Sequence, residues 1–232
     1  MSFFVQLKCN PNIYIKDPIQ SELGRKIITH AIELIDELGL EDFNFKKLAL
    51  RIESTEATIY RYFENKHKLL IYLTNWYWSW LEYQIDYQTH NISDPHVKMD
   101  IIIKEIANCS NSDPSVSHID ESILHRIVVS ESAKAYLNKR ISEEQDLGYY
   151  SSYASLCKKL GSVILELNPS YAYPRTLASN MIETAHEQLF FAQHLPQLTD
   201  LRKVNENNND IYEFLSHLVA GLVLNQTELK SL

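Results

Sequence analysis

Apolar side chains recur every three or four residues along most of this chain, and few helix-breaking residues interrupt them. Ile27, Ile28, Ala31, Ile32, Leu34, Ile35 and Leu38 keep that spacing, which gathers them on one face of a helix. Only five glycines and seven prolines occur in 232 residues, too few for the many tight turns of an all-β fold. An all-α protein is expected. Its apolar content of 45%, with 11% aromatics, is enough to fill a core rather than leave a disordered tail.

The spacing divides the chain further. Pro11 and Pro18 fall in a stretch with no sustained period, so residues 1–20 are expected to form an extended or poorly ordered arm. A first helix runs from Ser21 to a stop at Gly39. Asn44 can cap a short second helix over Phe45–Arg51, and Thr55 a third of about nine residues in which Ile59 and Phe63 share a face. Asn65 can cap a fourth, over 66 to about 90. Further helices are expected at roughly 94–109, 118–130, 132–140, 142–167, 171–195 and 209–225, with breaks at Pro114, Pro169 and the polar run 205–210. The expected organisation is an arm (1–20), a three-helix helix-turn-helix head (21–66) and a larger helical body for ligand binding and dimerisation (67–232).

Charge and cysteines narrow the function classes. Net charge is −8, yet residues 21–70 hold eight Lys and Arg against nine Asp and Glu, so the acidity sits mainly behind the head. Lys8 and Lys16 against Asp17 leave the arm slightly basic. Cys9, Cys109 and Cys157 are too far apart for a zinc-type pair and read as free thiols. No run of about 18 apolar residues and no signal-peptide order occurs, so a cytoplasmic protein without a membrane partner is expected.

A short helix, a turn and a second short helix, preceded by a longer packing helix, is the arrangement that offers its second helix to the DNA major groove. With Ile59 and Phe63 inward, the free face shows Glu56, Ala57, Tyr60 and Arg61. Arg61 can donate to guanine, Tyr60 can reach a phosphate oxygen, and Ala57 permits close approach. Asn44, Thr55, Thr58, Tyr62 and Lys66 complete the candidate DNA-binding set. A plain three-helix packing unit is the alternative that periodicity alone leaves open.

The run FKKLALRIESTEATIYRYFENKHKLL, residues 45–70, resembles the TetR/AcrR family of one-component bacterial regulators. Ala49, Thr55, Thr58, Ile59, Tyr60, Phe63, Lys66 and Leu69 fit the family's pattern without gaps. The resemblance implies a ligand-responsive regulator, by default a repressor, that binds a palindromic operator on double-stranded DNA as a homodimer. It also implies that Tyr60 and Lys66 contact phosphate, Lys66 from a helix start where free N–H groups add to its charge. Three positions depart from the pattern. Glu53 stands where the turn glycine is usual and has to take a left-handed backbone, Ser54 replaces an apolar residue, and Glu56 favours the helix dipole but repels phosphate.

Behind the head, Trp76, Trp80, Tyr83 and Tyr87 form a single stripe on the fourth helix, with Tyr150 and Tyr153 on a later helix able to face them. They are read either as core or as the wall of a pocket for an unknown small-molecule effector. Met181, Ala185 and Leu189 line the penultimate helix, and Phe214, Leu218 and Leu222 the last. In the resembled family such a final pair forms a four-helix dimer interface, while core packing is the alternative. Glu64 with His67 and Glu183 with His186 have the spacing of di-iron helical bundles, but Glu64 and His67 straddle a helix start beside the DNA motif. No catalytic residue, metal site or cofactor is assigned. A helical sensor without DNA binding and, further off, a metal-dependent helical-bundle enzyme are the competing readings.

Overall fold

The structure is a computed structural model, and it describes residues 7, 9–108, 119–202 and 209–224. Most of the arm before Cys9, Cys109, the expected break at Pro114 and most of the polar run before Asp210 lie outside the described residues. Ten α-helices and no strands occur among those described: α1 Glu22–Asp42, α2 Phe45–Arg51, α3 Glu56–Tyr60, α4 Lys66–Thr89, α5 Pro95–Asn108, α6 Glu121–Tyr136, α7 Ile141–Asp146, α8 Ser151–Leu167, α9 Pro174–His194 and α10 Asn209–Val219. They group into two compact units, one from residues 1–80 and 110–153 and the other from 81–109 and 154–232. The units do not follow a division at residue 66, and α4 and α8 each contribute to both.

In the first unit α1 buries Ile27, Ile28, Ala31, Ile32 and Ile35 along its apolar stripe. Ser21 caps its start by accepting the Gly24 N–H at 3.0 Å. Gly39 ends its regular course by taking φ 73°, ψ 159°, a conformation that few residues other than glycine tolerate. Helix α6 packs along α1 and fastens it at two places. Arg126 donates to both oxygens of Asp36 at 2.9 and 2.6 Å. The buried Glu131 carboxylate accepts the Leu40 N–H at 3.1 Å and pairs with Lys134 at 2.8 Å.

Three expectations about this unit are corrected. Helix α6 runs unbroken where a boundary near residue 131 was expected, because Glu131 is buried and held from both sides and no glycine or proline interrupts it. Conversely, the single helix expected over 142–167 divides into α7 and α8 at Gly148, whose φ is 74°. The arm, too, is ordered from Cys9 onward. It forms two 3-10 turns, Pro11–Ile13 and Pro18–Gln20, capped by Asn10 and Asp17. Asn10 donates to the Leu147 and Gly148 carbonyls at 2.8 Å each, and Ile15 N–H donates to Tyr62 O at 2.8 Å. A Cβ at Gly24 would stand 2.2 Å from Pro18 O, so only glycine admits the arm this close to α1.

The second unit packs the end of α4, α5, the bulk of α8, α9 and α10 around Ile102, Ile106, Leu160, Ile164, Met181, Ile182 and Leu215. Lys98 pairs with Glu166 at 2.6 Å, Ser155 donates to Glu82 at 2.8 Å, and Tyr212 donates to Asp100 at 2.6 Å. Lys159 pairs with Asp86.

One buried group in the first unit gives a pH dependence. His125 accepts or donates one hydrogen bond with the Tyr77 hydroxyl at 2.8 Å, and burial, followed by the charge of Arg126, pushes its pKa down from 6.5 to about 4. Between those values the unfolded chain binds the proton and the folded chain does not. Stability is therefore complete above the unfolded value and falls as pH drops towards the folded one, by roughly 3 kcal/mol. Denaturant titrations of the protein and its His125→Gln variant between about pH 7 and pH 4 check this. The variant should lose less stability over that range; equal losses would contradict the assignment.

Candidate nucleic-acid interface

The head builds its outward face from an inward one. Helix α2 starts at Asn44, which accepts the Lys47 N–H at 2.9 Å, and it turns Phe45, Leu48 and Ala49 into the core. The turn to α3 closes with the Ser54 N–H on Ala49 O at 2.9 Å. Glu53 within it has φ 55°, the one left-handed non-glycine among the described residues, as its place in the sequence pattern required. Thr55 then caps α3 by accepting the Thr58 N–H at 3.3 Å, and its hydroxyl lies 3.0 Å from that of Thr58. Ile59 and Phe63 have no exposed surface.

On the opposite side Glu56, Ala57, Tyr60 and Arg61 are exposed together. The Tyr60 ring packs edge-on to Phe45 at 5.1 Å, so the aromatic is held in place although 48% of its surface is open. Among the described residues no hydrogen bond or ion pair engages the side chains of Glu56 and Arg61. The face thus offers a free guanidinium and a fixed phenol beside a methyl group small enough for close approach.

Helix α3 is shorter than the nine residues expected, with Tyr60 its last. The reason lies in Tyr62. That side chain, expected on the DNA-facing surface, is buried: its hydroxyl is 2.8 Å from Ser21 Oγ and its ring lies beneath Lys16, 5.1 Å away. Burying Tyr62 turns the chain inward and removes it from the candidate interface.

Lys66 is corrected as well. Its ammonium donates to the carbonyls of Leu40, Glu41 and Phe43 at 2.9, 3.0 and 3.2 Å. A helix end leaves carbonyls without donors, and Lys66 supplies all three hydrogens of its ammonium to them. It holds the end of α1 and has no hydrogen left for phosphate. Other cations of the head are engaged in similar ways. Lys26 donates to Ile52 O at 3.1 Å, Lys47 to Asp42 O at 2.7 Å, and Arg51 pairs with Glu37 at 2.5 Å, which raises the guanidinium's pKa. Lys46, in the first turn of α2, is exposed with no partner among the described residues. The sequence reading passed over it; its place two residues after the Asn44 cap was the available signal.

The aromatics expected to line a pocket do not share one environment. Trp76 and Trp80 are buried in the first unit, and Tyr153 stacks on Trp78 with centroids 4.5 Å apart. Tyr150 donates to Glu144 at 2.5 Å, its hydroxyl also lies 2.9 Å from Ala135 O, and burial, then Glu144, raises its pKa. Tyr83 and Tyr87 belong to the second unit and stack on each other at 6.3 Å, with Tyr87 73% exposed. Of the expected dimer residues, Met181, Ala185 and Leu189 are buried by their own chain, whereas Phe214 is 41% exposed and Leu218 and Leu222 are half-buried. His67 is bonded to Glu144 at 2.8 Å, and among the described residues no group of three or more His, Cys, Asp or Glu stands together as a metal site. No described helix is long and apolar enough to cross a membrane.

Residues 27–73 match the model of the bacterial regulatory proteins of the tetR family. That match runs from within α1 to the start of α4, in a chain whose described residues are all-helical. The chain's course resembles that of AibR, solved in complex with isovaleryl coenzyme A and operator DNA (TM-score 0.57, 16% identity, 86% of this chain and 98% of that one). It also resembles FadR, a fatty acid degradation regulator from Bacillus halodurans (TM-score 0.59, 19% identity, 85% and 94%). A protein described as superantigen PfiT matches to a similar degree (TM-score 0.58, 13% identity, 91% and 100%), so at these identities the likeness concerns the fold. No curated protein matches the chain.

The turn between α2 and α3 carries a direct test. Glu53→Gly removes the left-handed strain and should raise stability by about 0.5–1 kcal/mol in denaturant titrations. A loss of stability would mean that the glutamate side chain contributes more than its backbone costs.

Proposed function

We propose that this protein is a ligand-responsive, DNA-binding transcriptional regulator that binds a palindromic operator as a homodimer, and that it represses. The observation carrying this reading is the α2–α3 pair, which matches the tetR-family head and leaves Ala57, Tyr60 and Arg61 open on one face. Arg61 reads a guanine edge, Tyr60 and Lys46 contact phosphate, and Lys66 is structural. Asn44, Thr55 and Thr58 fix the two short helices through their caps. AibR, whose structure holds operator DNA and an acyl coenzyme A, supports a regulator of this fold that answers to a small molecule. The family whose model matches consists of regulators, which supports a non-enzymatic role.

Titrations of operator and random duplexes across salt separate these assignments. Arg61→Ala should weaken operator binding more than random binding, by about 1–3 kcal/mol. Lys46→Ala should weaken both and flatten the salt dependence by about one unit of slope. Lys66→Ala should instead lower the stability of the head. Equal effects of Arg61→Ala on both duplexes would make it a phosphate contact. Failure of the protein to shift any duplex at low salt would favour a sensor without DNA binding, the reading that the engaged head cations and Glu56 favour.

Our reading puts dimerisation on the outer face of α10, and its support is that Phe214 and Leu218 lie four apart and are partly uncovered. Replacing both with Glu should yield a folded monomer in light scattering, since Phe214 is 41% exposed and the pair can be charged without unfolding the chain. A persistent dimer would place the interface elsewhere. For the effector, Trp80 is the aromatic to watch: its indole N–H is buried with no acceptor among the described residues, an unmet bond that a ligand oxygen would satisfy.

A further inference from the structure

The arm from Cys9 onward borders a partly open cavity in the first unit. About 280 Å³ in volume, it is lined on the arm side by Cys9, Tyr14, Asp17, Ile19 and Gln20, and on the α4 side by Tyr72. The two tyrosine rings meet edge to face, 6.0 Å apart at 78°. Tyr72 is 1% exposed, and among the described residues its hydroxyl has no oxygen or nitrogen partner and meets only the Cys9 thiol. A thiol is a weak hydrogen-bond partner, so the buried phenol hydroxyl can still gain from a stronger one.

The lining chooses the sign of an occupant. Among the described residues Asp17 is its one charged lining residue, and no described lysine, arginine or histidine lines it. Asp17 accepts the Ile19 N–H at 3.0 Å and is 3.4 Å from Gln20 Nε2, contacts that leave the carboxylate's charge uncompensated by any ion pair among the described residues. Neighbouring groups register that charge. Burial first and Asp17 second push the Cys9 thiol up to about 12 and raise the Tyr14 hydroxyl. An anion is disfavoured here, and Cys9 remains a thiol, so it is no nucleophile. A cation would gain from the carboxylate and from the faces of two aromatic rings.

We propose that this cavity binds a small organic monocation, a primary or quaternary amine, with Asp17 as its counter-ion and Tyr14 and Tyr72 as its aromatic walls. The site belongs to the head and its arm, and it is independent of the effector discussed above. Ile15, between Tyr14 and Lys16, is hydrogen-bonded to Tyr62, the neighbour of Arg61, so an occupant that holds the arm also holds the end of the recognition turn.

Calorimetric titration of the full chain with phenethylammonium, tetramethylammonium and the neutral 2-phenylethanol tests the site. Each cation should saturate at one per chain, and phenethylammonium should bind about ten-fold more tightly than the alcohol. Asp17→Asn, which keeps an oxygen to cap Ile19, should abolish that preference. Tyr14→Leu, which alters a residue at the cavity wall and no element of the core, should weaken tetramethylammonium by about two- to five-fold. No saturable binding of either cation, equal affinity for alcohol and amine, or a preference that survives Asp17→Asn would overturn the proposal.

Discussion

The end of α1 is where the first unit is tied together. Gly39 breaks the helix by a conformation open to glycine, and the break exposes backbone groups that have no helical partners. Lys66, at the first position of α4, gathers the Leu40, Glu41 and Phe43 carbonyls, while Glu131 of α6 takes the Leu40 N–H. One helix end thereby fixes the start of a second helix and the flank of a third. Phe43, fully buried, and Asn44, the cap of α2, follow within a few residues, so the angle at which the recognition pair leaves α1 depends on the same knot.

That arrangement gives Lys66, which the resemblance assigns to a phosphate, a structural role. Three carbonyl contacts saturate the ammonium, and breaking them to reach a phosphate would leave the end of α1 unsatisfied. The head has few free cations: Arg61, just after α3, and Lys46 on α2 are exposed, whereas Lys26, Lys47, Arg51 and Lys66 are turned to their own protein. On the proposed function, its near-neutral charge would place more weight on shape and on base contacts than on general attraction to the phosphate backbone.

Much of this was legible in the residues themselves. The Gly39 stop, the Asn44, Thr55 and Asn65 caps, the inward pair Ile59 and Phe63 and the left-handed turn at Glu53 all follow from local chemistry, which a sequence displays directly. What escaped depended on partners distant along the chain. The burial of Tyr62 needs Ser21 and the arm, the role of Lys66 needs carbonyls more than twenty residues away, and the order of the arm needs the Leu147 and Gly148 carbonyls as acceptors. The aromatic stripe of α4 was misleading for a related reason: spacing put Trp76 and Tyr87 on one line, while the fold gave them to different units.

Likeness of fold places this chain beside AibR and FadR and equally beside PfiT, so the functional reading rests on the head and on what its open face does. Selection of bound sequences from a pool of random duplex DNA by the purified full-length protein examines that most directly. The account predicts enrichment of a palindrome, with matched half-sites separated by about one helical turn or a multiple of it. A pool that stays random, or one enriched in a motif without two-fold symmetry, would contradict it.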